Sequence, residues 1–181
     1  MDFKKQKIVM ESLDDLLSLI KLKKQSKTKF IGENYPASWG RVFGGQVLAQ
    51  SLNASYETVP KDRIAHSMHG YFILSGDITI PIIYEVDKIR DGNSFTTRRV
   101  VAYQNGKAIF NMSASFQKKE KGVNHQIVAP NILPPEVLRT NIQQVELLRD
   151  KNPNYYESLK KSHHKMFEFK QVEIMLSLIH I

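Results

Sequence analysis

The feature that most constrains the fold is a regular alternation of side chains between Lys107 and Gln117. Every second position is apolar, and the apolar set is Ala108, Phe110, Met112, Ala114 and Phe116. A period of two predicts a β-strand with one buried face and one exposed face. Asn105-Gly106 comes just before this strand, and both residues tolerate the positive φ angles of a tight turn. The stretch therefore predicts the second strand of an antiparallel hairpin.

More strands are predicted upstream of this hairpin. The candidates lie at 66–74, 81–91 and 94–104, with a shorter strand at 28–31. Asp91-Gly92 marks a turn between the second and third of the long strands. The three strands between 81 and 117 therefore form a predicted antiparallel meander. Gly32 to Gly45 is predicted to be an irregular loop.

Two helices are predicted before the meander. The first spans about 12–24, because Ser12 to Asp15 resemble a capping box at the start of a helical apolar pattern. The second spans about 45–58 and carries no charged residue before Glu57. Its apolar surface consists of Val47, Leu48, Ala49, Leu52 and Tyr56. A helix with so little charge is usually surrounded by other structure, so we expect this one to be buried.

Composition limits the class of protein. The absence of cysteine excludes disulfides and thiolate metal sites. The net charge of +8 suggests an anionic partner, either nucleic acid or a phosphate-bearing small molecule, or else a solvated lysine surface. The lysines do not alternate with aromatic residues as in a single-strand binding platform. No apolar run reaches the roughly 18 residues of a membrane span, and the start MDFKKQK does not resemble a signal peptide. A cytoplasmic location is therefore expected.

The chain changes character after Gln117. The stretch KKEKGVNHQ is polar, and APNILPP is too proline-rich to continue a sheet. We therefore predict a first domain at 1–120, and a linker at 121–165 with short helices at 141–150 and 154–165. The motif FEFKQVEI indicates a new strand, so 166–181 is predicted to begin a second domain. The last six or so residues are expected to be the trace of a truncation or frame change.

Paired glycines before a helix suggest a site. Gly44 and Gly45 lack Cβ atoms, so another backbone or a ligand can approach closely. The free N–H groups at a helix start could stabilise an oxyanion or hold a phosphate. Tight packing of the helix against the sheet is the alternative explanation.

Two histidines and two arginines on strands are further candidates. His66 and His69 are three residues apart, so they are expected on opposite faces, which argues against a shared metal. Ser67 is likewise expected to face away from His66, so the two make no nucleophile–base pair. Each histidine has either a structural or a substrate-binding role. Of Arg98 and Arg99, one is expected to face solvent or an acidic partner, or to contact ligand phosphates. No G-x-S-x-G elbow or Walker A loop occurs.

Three stretches then carry a specific resemblance. They are RVFGGQVLAQSL, HSMHGYFILSGD and PIIYEVDKIRDGNSFTTRRVVAYQNGKAIFNMSASFQ, in this order. Together they resemble the N-terminal half of acyl-CoA thioesterase II, the TesB-type family of double hot dog enzymes, over about residues 13–126. The resemblance implies an α+β hot dog fold, in which a curved antiparallel sheet wraps a long central helix. It also implies that this chain holds the first repeat, and that FEFKQVE starts a truncated second one.

The resemblance also implies a function. Members hydrolyse fatty acyl-CoA to a free acid and CoA, with an Asp, a Thr or Ser, and a Gln that activate water. These belong to the second repeat, so no catalytic residue is assigned here and the chain alone is expected to be inactive. The expected substrate-binding residues are Gly44, Gly45, Gln46, His66, His69 and Tyr71. No metal and no cofactor beyond the CoA of the substrate are expected, and no nucleic acid partner. A non-catalytic acyl-CoA-binding module is the alternative.

One departure from the family pattern and one expectation about assembly follow from the resemblance. Leu74-Ser75 stands before Gly76-Asp77 where Arg-Pro is common in relatives, so any role of that arginine is in doubt here. The two repeats of a double hot dog pair their sheets, and the protein is expected to be a homo-oligomer through such sheets. One repeat alone leaves a long strand edge open, so the isolated chain is expected to self-associate.

Overall fold

The computed structural model describes residues 12–37, 39–147, 149–161, 168–170 and 172. The described residues form two compact units that divide after Gly122. Among these residues, no helix combines the length and the apolar character needed to cross a bilayer. The predicted start of a second domain at 166–181 falls mostly outside the described residues and stays a prediction.

The first unit is built on one antiparallel sheet of six strands. Its strands are β1 Lys23–Lys24, β2 Lys29–Gly32, β3 Arg63–Phe72, β4 Ile82–Asp91, β5 Phe95–Gln104 and β6 Lys107–Lys118. The order across the sheet is β1-β2-β4-β5-β6-β3, so β4, β5 and β6 form the predicted meander. The strand β3 precedes the meander in sequence but pairs with β6 at the far edge.

The hairpin between β5 and β6 forms as predicted. Asn105 has φ 49° and Gly106 has φ 71°, the two positive values that a type I′ turn requires. Phe110, Met112, Ala114 and Phe116 of β6 are all buried in the core, whereas Ser113 is exposed. We call the face of the sheet that carries these buried residues the inner face, and the opposite one the outer face.

The first helix, α1, spans Leu13–Ile20 and is shorter than predicted. Its capping box is present, since Ser12 and Asp15 each bond the other's backbone N–H. The chain is already extended at Lys21, and Lys23 and Lys24 pair with Ile31 and Phe30. The prediction of helix up to residue 24 is wrong because pairing with β2 overrides the helical preference of lysine.

The second helix, α2, spans Gly44–Tyr56 and packs on the inner face of the sheet. Val47 and Ala54 are buried in the core, with Leu48 and Leu52 packed against it. The prediction of an apolar buried surface is only partly right, because Tyr56 is 41% exposed. The buried positions of α2 include four polar residues, namely Gln46, Gln50, Ser51 and Ser55.

The second unit contains short helices. A 3₁₀ turn spans Pro135–Val137, α3 spans Asn141–Glu146, and α4 spans Pro153–Lys161. The first of the two predicted helices is therefore shorter than 141–150. Thr140 caps α3 through a capping box with Gln143, and Asn141 N–H donates to the Phe169 carbonyl at 2.7 Å.

Candidate functional site

The start of α2 is packed against aromatic rings of the chain itself. A Cβ on Gly44 would lie 3.0 Å from Cε1 of Phe72 on β3. A Cβ on Gly45 would lie 2.5 Å from Cε1 of Phe43, the residue just before the helix. The paired glycines therefore permit close packing, which is the alternative raised from the sequence. Phe43 provides no side-chain cap, so the first N–H groups of α2 lack a capping side chain.

A cavity of about 400 Å³ lies beside this helix start. Gly44 contributes to its wall, so the beginning of α2 borders the cavity. Most other lining side chains are apolar: Val42, Val47, Phe72, Ile73, Leu74, Ile109 and Phe110. Arg41 is the charged residue among those that line it, and Ser75 the hydroxyl. Such a site suits an apolar group with a single polar end, since the wall is apolar and the helix start supplies an electropositive pole.

Gln46 follows the glycines but its side chain is already engaged. Its Oε1 accepts from the Tyr35 N–H at 3.0 Å, and its Nε2 donates to the Glu33 carbonyl and to Asn34 Oδ1, both at 3.0 Å. The residue is 5% exposed. Gln46 therefore fixes the loop before α2, and its amide is not presented to the cavity.

A buried network of polar side chains continues from Gln46. Gln50 donates to the carbonyls of Leu19 at 2.7 Å and Glu33 at 3.0 Å, and its Oε1 accepts from the Tyr84 hydroxyl at 2.6 Å. Burial raises the pKa of the Tyr84 phenol far above its ordinary value, so this group stays a hydrogen-bond donor. This network was not predicted from the sequence, although two glutamines four residues apart in an uncharged helix were an available signal.

The same kind of bonding holds the loop on the far side of the cavity. Gln104 Nε2 donates to the carbonyls of Asp77 and Ile80, and its Oε1 accepts from the Asp77 N–H at 2.8 Å. Asn34 Nδ2 donates to the Ile80 carbonyl at 2.6 Å. The Val42 N–H donates to the Gly76 carbonyl at 2.9 Å. Side-chain amides thus fix residues 77–80, which follow the lining residues Ser75 and Gly76 in the chain.

The predicted positions of His66 and His69 on opposite faces are wrong. A bulge between Ala65 and Ser67 adds one residue to β3, so the alternation shifts by one at His66. His66 Nε2 lies 2.8 Å from Ser115 Oγ, and His69 pairs with Ser113. Ser113 and Ser115 are two residues apart on β6 and share the outer face, so both histidines lie there.

Ser67 pairs directly with Ser115, so it also lies on the outer face, contrary to the expectation that it faces away from His66. The histidine contacts the hydroxyl of Ser115 rather than that of Ser67. Among the described residues, no carboxylate contacts His66, so the group that orients the base of a catalytic triad is missing. Tyr71 lies on the same face, with its ring centroid 4.7 Å from that of His69.

The six expected substrate-binding residues thus divide into two groups. Gly44, Gly45 and Gln46 lie at the start of α2 on the inner side of the sheet. His66, His69 and Tyr71 lie on the outer face of β3. The structure does not bring the two groups together into one site.

The two arginines of β5 are both held by carboxylates. Arg99 is exposed and bonds Asp87, the acidic partner that was one of its predicted environments. Arg98 is 1% exposed and lies 2.6 Å from Asp91.

Residues 35–117 match the family model of the acyl-CoA thioesterase N-terminal domain. Acyl-CoA thioesterase 2 of Haemophilus influenzae is 44% identical over 124 residues, which are 68% of this chain and 43% of that protein. Among solved structures, the tesB protein of Mycobacterium avium subspecies paratuberculosis aligns with a TM-score of 0.65 and 33% identity, covering 70% of this chain and 50% of that one.

A protein of unknown function with a hot dog fold from Alicyclobacillus acidocaldarius aligns with a TM-score of 0.57 at 20% identity, covering 67% of this chain and 47% of that one. This likeness bears on the fold alone. Together the matches confirm the hot dog fold and the resemblance to the N-terminal half of the thioesterases. The chain spans less than half the length of the curated relatives it matches, 43% for the first of them.

Proposed function

We propose that the whole protein hydrolyses fatty acyl-CoA to a free fatty acid and CoA. Residues 35–117 match the family model of the acyl-CoA thioesterase N-terminal domain, which supports this proposal. In this reaction water attacks the thioester carbonyl, the carbonyl oxygen becomes an oxyanion, and the CoA thiolate leaves. The Asp, the Thr or Ser, and the Gln that activate the water belong to a second hot dog repeat. The named relatives and their sequence identities of 44% and 33% to this chain support this assignment.

The observation that carries the proposal is the apolar cavity at the start of α2. Its size of about 400 Å³ and its apolar wall suit the acyl part of a thioester. Gly44 borders the cavity, so the N–H groups at the helix start lie where the positive pole of α2 favours a developing negative charge. The first repeat thus contributes binding surface rather than a base.

The predicted substrate-binding residues take different parts in this proposal. Gly44 contacts the substrate through its backbone at the cavity, and Gly45, which follows it in the helix, stays a predicted contact. Gln46 acts on the cavity indirectly, by fixing the loop at Glu33 to Tyr35. His66, His69 and Tyr71 stay predicted contacts for a ligand portion on the outer face of β3.

The same proposal covers partners and location. The reaction needs no cofactor beyond the CoA of the substrate, and the protein works in the cytoplasm as a homo-oligomer. The open edge of β3 pairs with a second hot dog sheet, since this edge strand exposes Ile64, Met68, Tyr71 and Phe72.

A cavity variant tests the substrate assignment in the longer protein that contains both repeats. Leu74 lines the cavity and is 51% exposed, so Leu74→Trp fills space without disturbing the buried core. We expect the preferred acyl chain to become shorter, with KM for long-chain acyl-CoA raised on the order of tenfold. Leu133→Trp is the matched control, because Leu133 is 61% exposed and does not line the cavity. Unchanged KM values across chain lengths for Leu74→Trp would contradict the assignment.

One observation favours the alternative that this chain alone binds acyl-CoA without cleaving it. Among the described residues that line the cavity, none is Asp, Glu or His, so no general base faces it. Calorimetric titration with a non-hydrolysable acyl-CoA thioether, run beside a thiol-release assay, separates binding from turnover. Binding without release supports the module, and release by this chain refutes it.

A further inference from the structure

A second cavity lies at the opposite end of α2 and differs in chemistry from the first. Its volume is about 410 Å³. The loop that follows α2 forms one wall, and the turn between β1 and β2 and the end of β4 form others. The charged residues that line it are Lys24, Lys27, Lys88, Arg98, Glu57 and Asp91.

The three lysines of this cavity differ from Lys23 and Lys29 in that they form no ion pair among the residues that the structure describes. Lys23 pairs with Glu33 at 3.2 Å and Lys29 pairs with Glu85 at 3.0 Å, so the hairpin of β1 and β2 neutralises these two charges. Within the described part of the chain, Lys24, Lys27 and Lys88 form no ion pair. Three lysines without a carboxylate partner among the described residues therefore line the cavity.

The carboxylates of the cavity offset little of this charge. Asp91 Oδ1 lies 2.6 Å from Nη2 of the buried Arg98, so this arginine neutralises the charge of Asp91. Glu57 is the other carboxylate among the described lining residues, beside three lysines in the same lining. Lysine ammonium groups bind phosphates as point charges, and a cleft with an excess of positive charge strengthens their field.

Hydrogen bonds from Arg98 hold one wall of the cavity. Arg98 Nε donates to Thr58 Oγ1 at 2.8 Å, and its Nη2 donates to the Thr58 carbonyl at 2.9 Å. Thr58 Oγ1 in turn donates to the Ser55 carbonyl at 2.8 Å, at the end of α2. The buried guanidinium therefore fixes the loop after α2, which forms part of the cavity wall.

We propose that this cavity binds a phosphate-bearing small anion. The ligand is either a free nucleotide or the phosphorylated nucleotide part of CoA, and in the second case the inference rests on the proposed thioesterase function. The lysines also lie near the negative pole of α2, where cations stabilise a helix. If these lysines act only on the helix dipole, replacing them will change the free energy of unfolding but not the binding of a ligand.

Calorimetric titration of this chain at low salt tests the site with three probes: ADP, CoA, and pantetheine, which lacks the nucleotide. We expect ADP and CoA to bind and pantetheine not to bind here. Each of Lys24→Ala, Lys27→Ala and Lys88→Ala should weaken ADP binding about fivefold, and the triple variant should abolish it. Lys107→Ala is the control, because this exposed lysine does not line the cavity.

The outcomes separate the possible ligands and the two proposals. CoA binding that is tighter than ADP binding and equally sensitive to the three substitutions identifies CoA as the source. Equal binding of ADP and CoA identifies a free nucleotide. ADP binding does not depend on hydrolysis, so it can succeed where the thioesterase proposal fails. The inference is overturned if ADP does not bind at millimolar concentration, or if the triple variant binds it as well as the original chain.

Discussion

The two edge strands of the sheet differ in length and in the character of their exposed side chains. The edge strand β1 is two residues long and consists of Lys23 and Lys24, both exposed. The edge strand β3 is ten residues long, and Ile64, Met68, Tyr71 and Phe72 on it are all at least 45% exposed. Short, charged edges resist pairing with another chain, whereas long apolar edges invite it.

This contrast favours the β3 edge over the β1 edge as the place for a partner. Natural proteins protect a free edge with lysine, as β1 does, so the unprotected β3 indicates an edge that is normally covered. Acyl-CoA thioesterase 2 of Haemophilus influenzae is more than twice as long as the part that this chain matches, which is 43% of that protein. We therefore propose that a second hot dog sheet covers β3.

The largest expected effect is on self-association. We predict that the chain alone associates through β3 and that Ile64→Lys makes it predominantly monomeric, because a charge on the edge strand opposes pairing. Ile89→Lys is the matched control, since Ile89 is 57% exposed but lies on the interior strand β4. Light scattering behind size-exclusion chromatography over a concentration series measures the mass. A monomeric parent chain, or equal dissociation by both variants, would contradict the prediction.

A second prediction concerns how β3 is held to the sheet. A Cβ on Gly70 would lie 2.6 Å from Cζ of Phe110 and 2.9 Å from the backbone oxygen of Asn111. Because the second neighbour is backbone, Gly70→Ala must shift β3 from β6, and we expect a loss of about 1–3 kcal/mol in the free energy of unfolding. Urea unfolding measures it.

Gly122→Ala is the control for this variant, because no heavy atom lies within 4 Å of the position of its Cβ. We expect the control to match the parent chain closely. If Gly70→Ala also matched the parent, the close contact between β3 and β6 would not contribute to stability.

Local signals predicted the meander and its turns. The alternation of β6 and the pair Asn105-Gly106 determine their own structure, since a strand of period two and a turn with two positive φ angles depend on neighbouring residues alone. The uncharged helix after Gly44 was predicted from its composition and observed. The resemblance then supplied the fold class, which the local signals alone did not specify.

The features that the sequence did not predict depend on partners far along the chain. The bulge at His66 is defined by pairing with Ser115, and it reverses the face of one histidine. The prediction that Lys23 and Lys24 are helical is wrong because they pair with Ile31 and Phe30 in the sheet. The pairing of buried Gln50 with Tyr84 has no local signal, because Tyr84 lies 34 residues later in the chain.

The smallest expected effect is at the other edge, where Lys23 pairs with Glu33 at 3.2 Å. The two side chains are 74% and 49% exposed, so water screens the pair, and we expect Lys23→Ala to cost at most about 0.5 kcal/mol. The loss should shrink further in 1 M salt, because exposed charges are screened within a few ångströms there. Lys24 still protects the edge, so the mass of the chain should not change. Urea unfolding at two salt concentrations measures the cost, and a loss equal to that of Gly70→Ala would show that the β1 edge contributes as much to stability as the packing of β3.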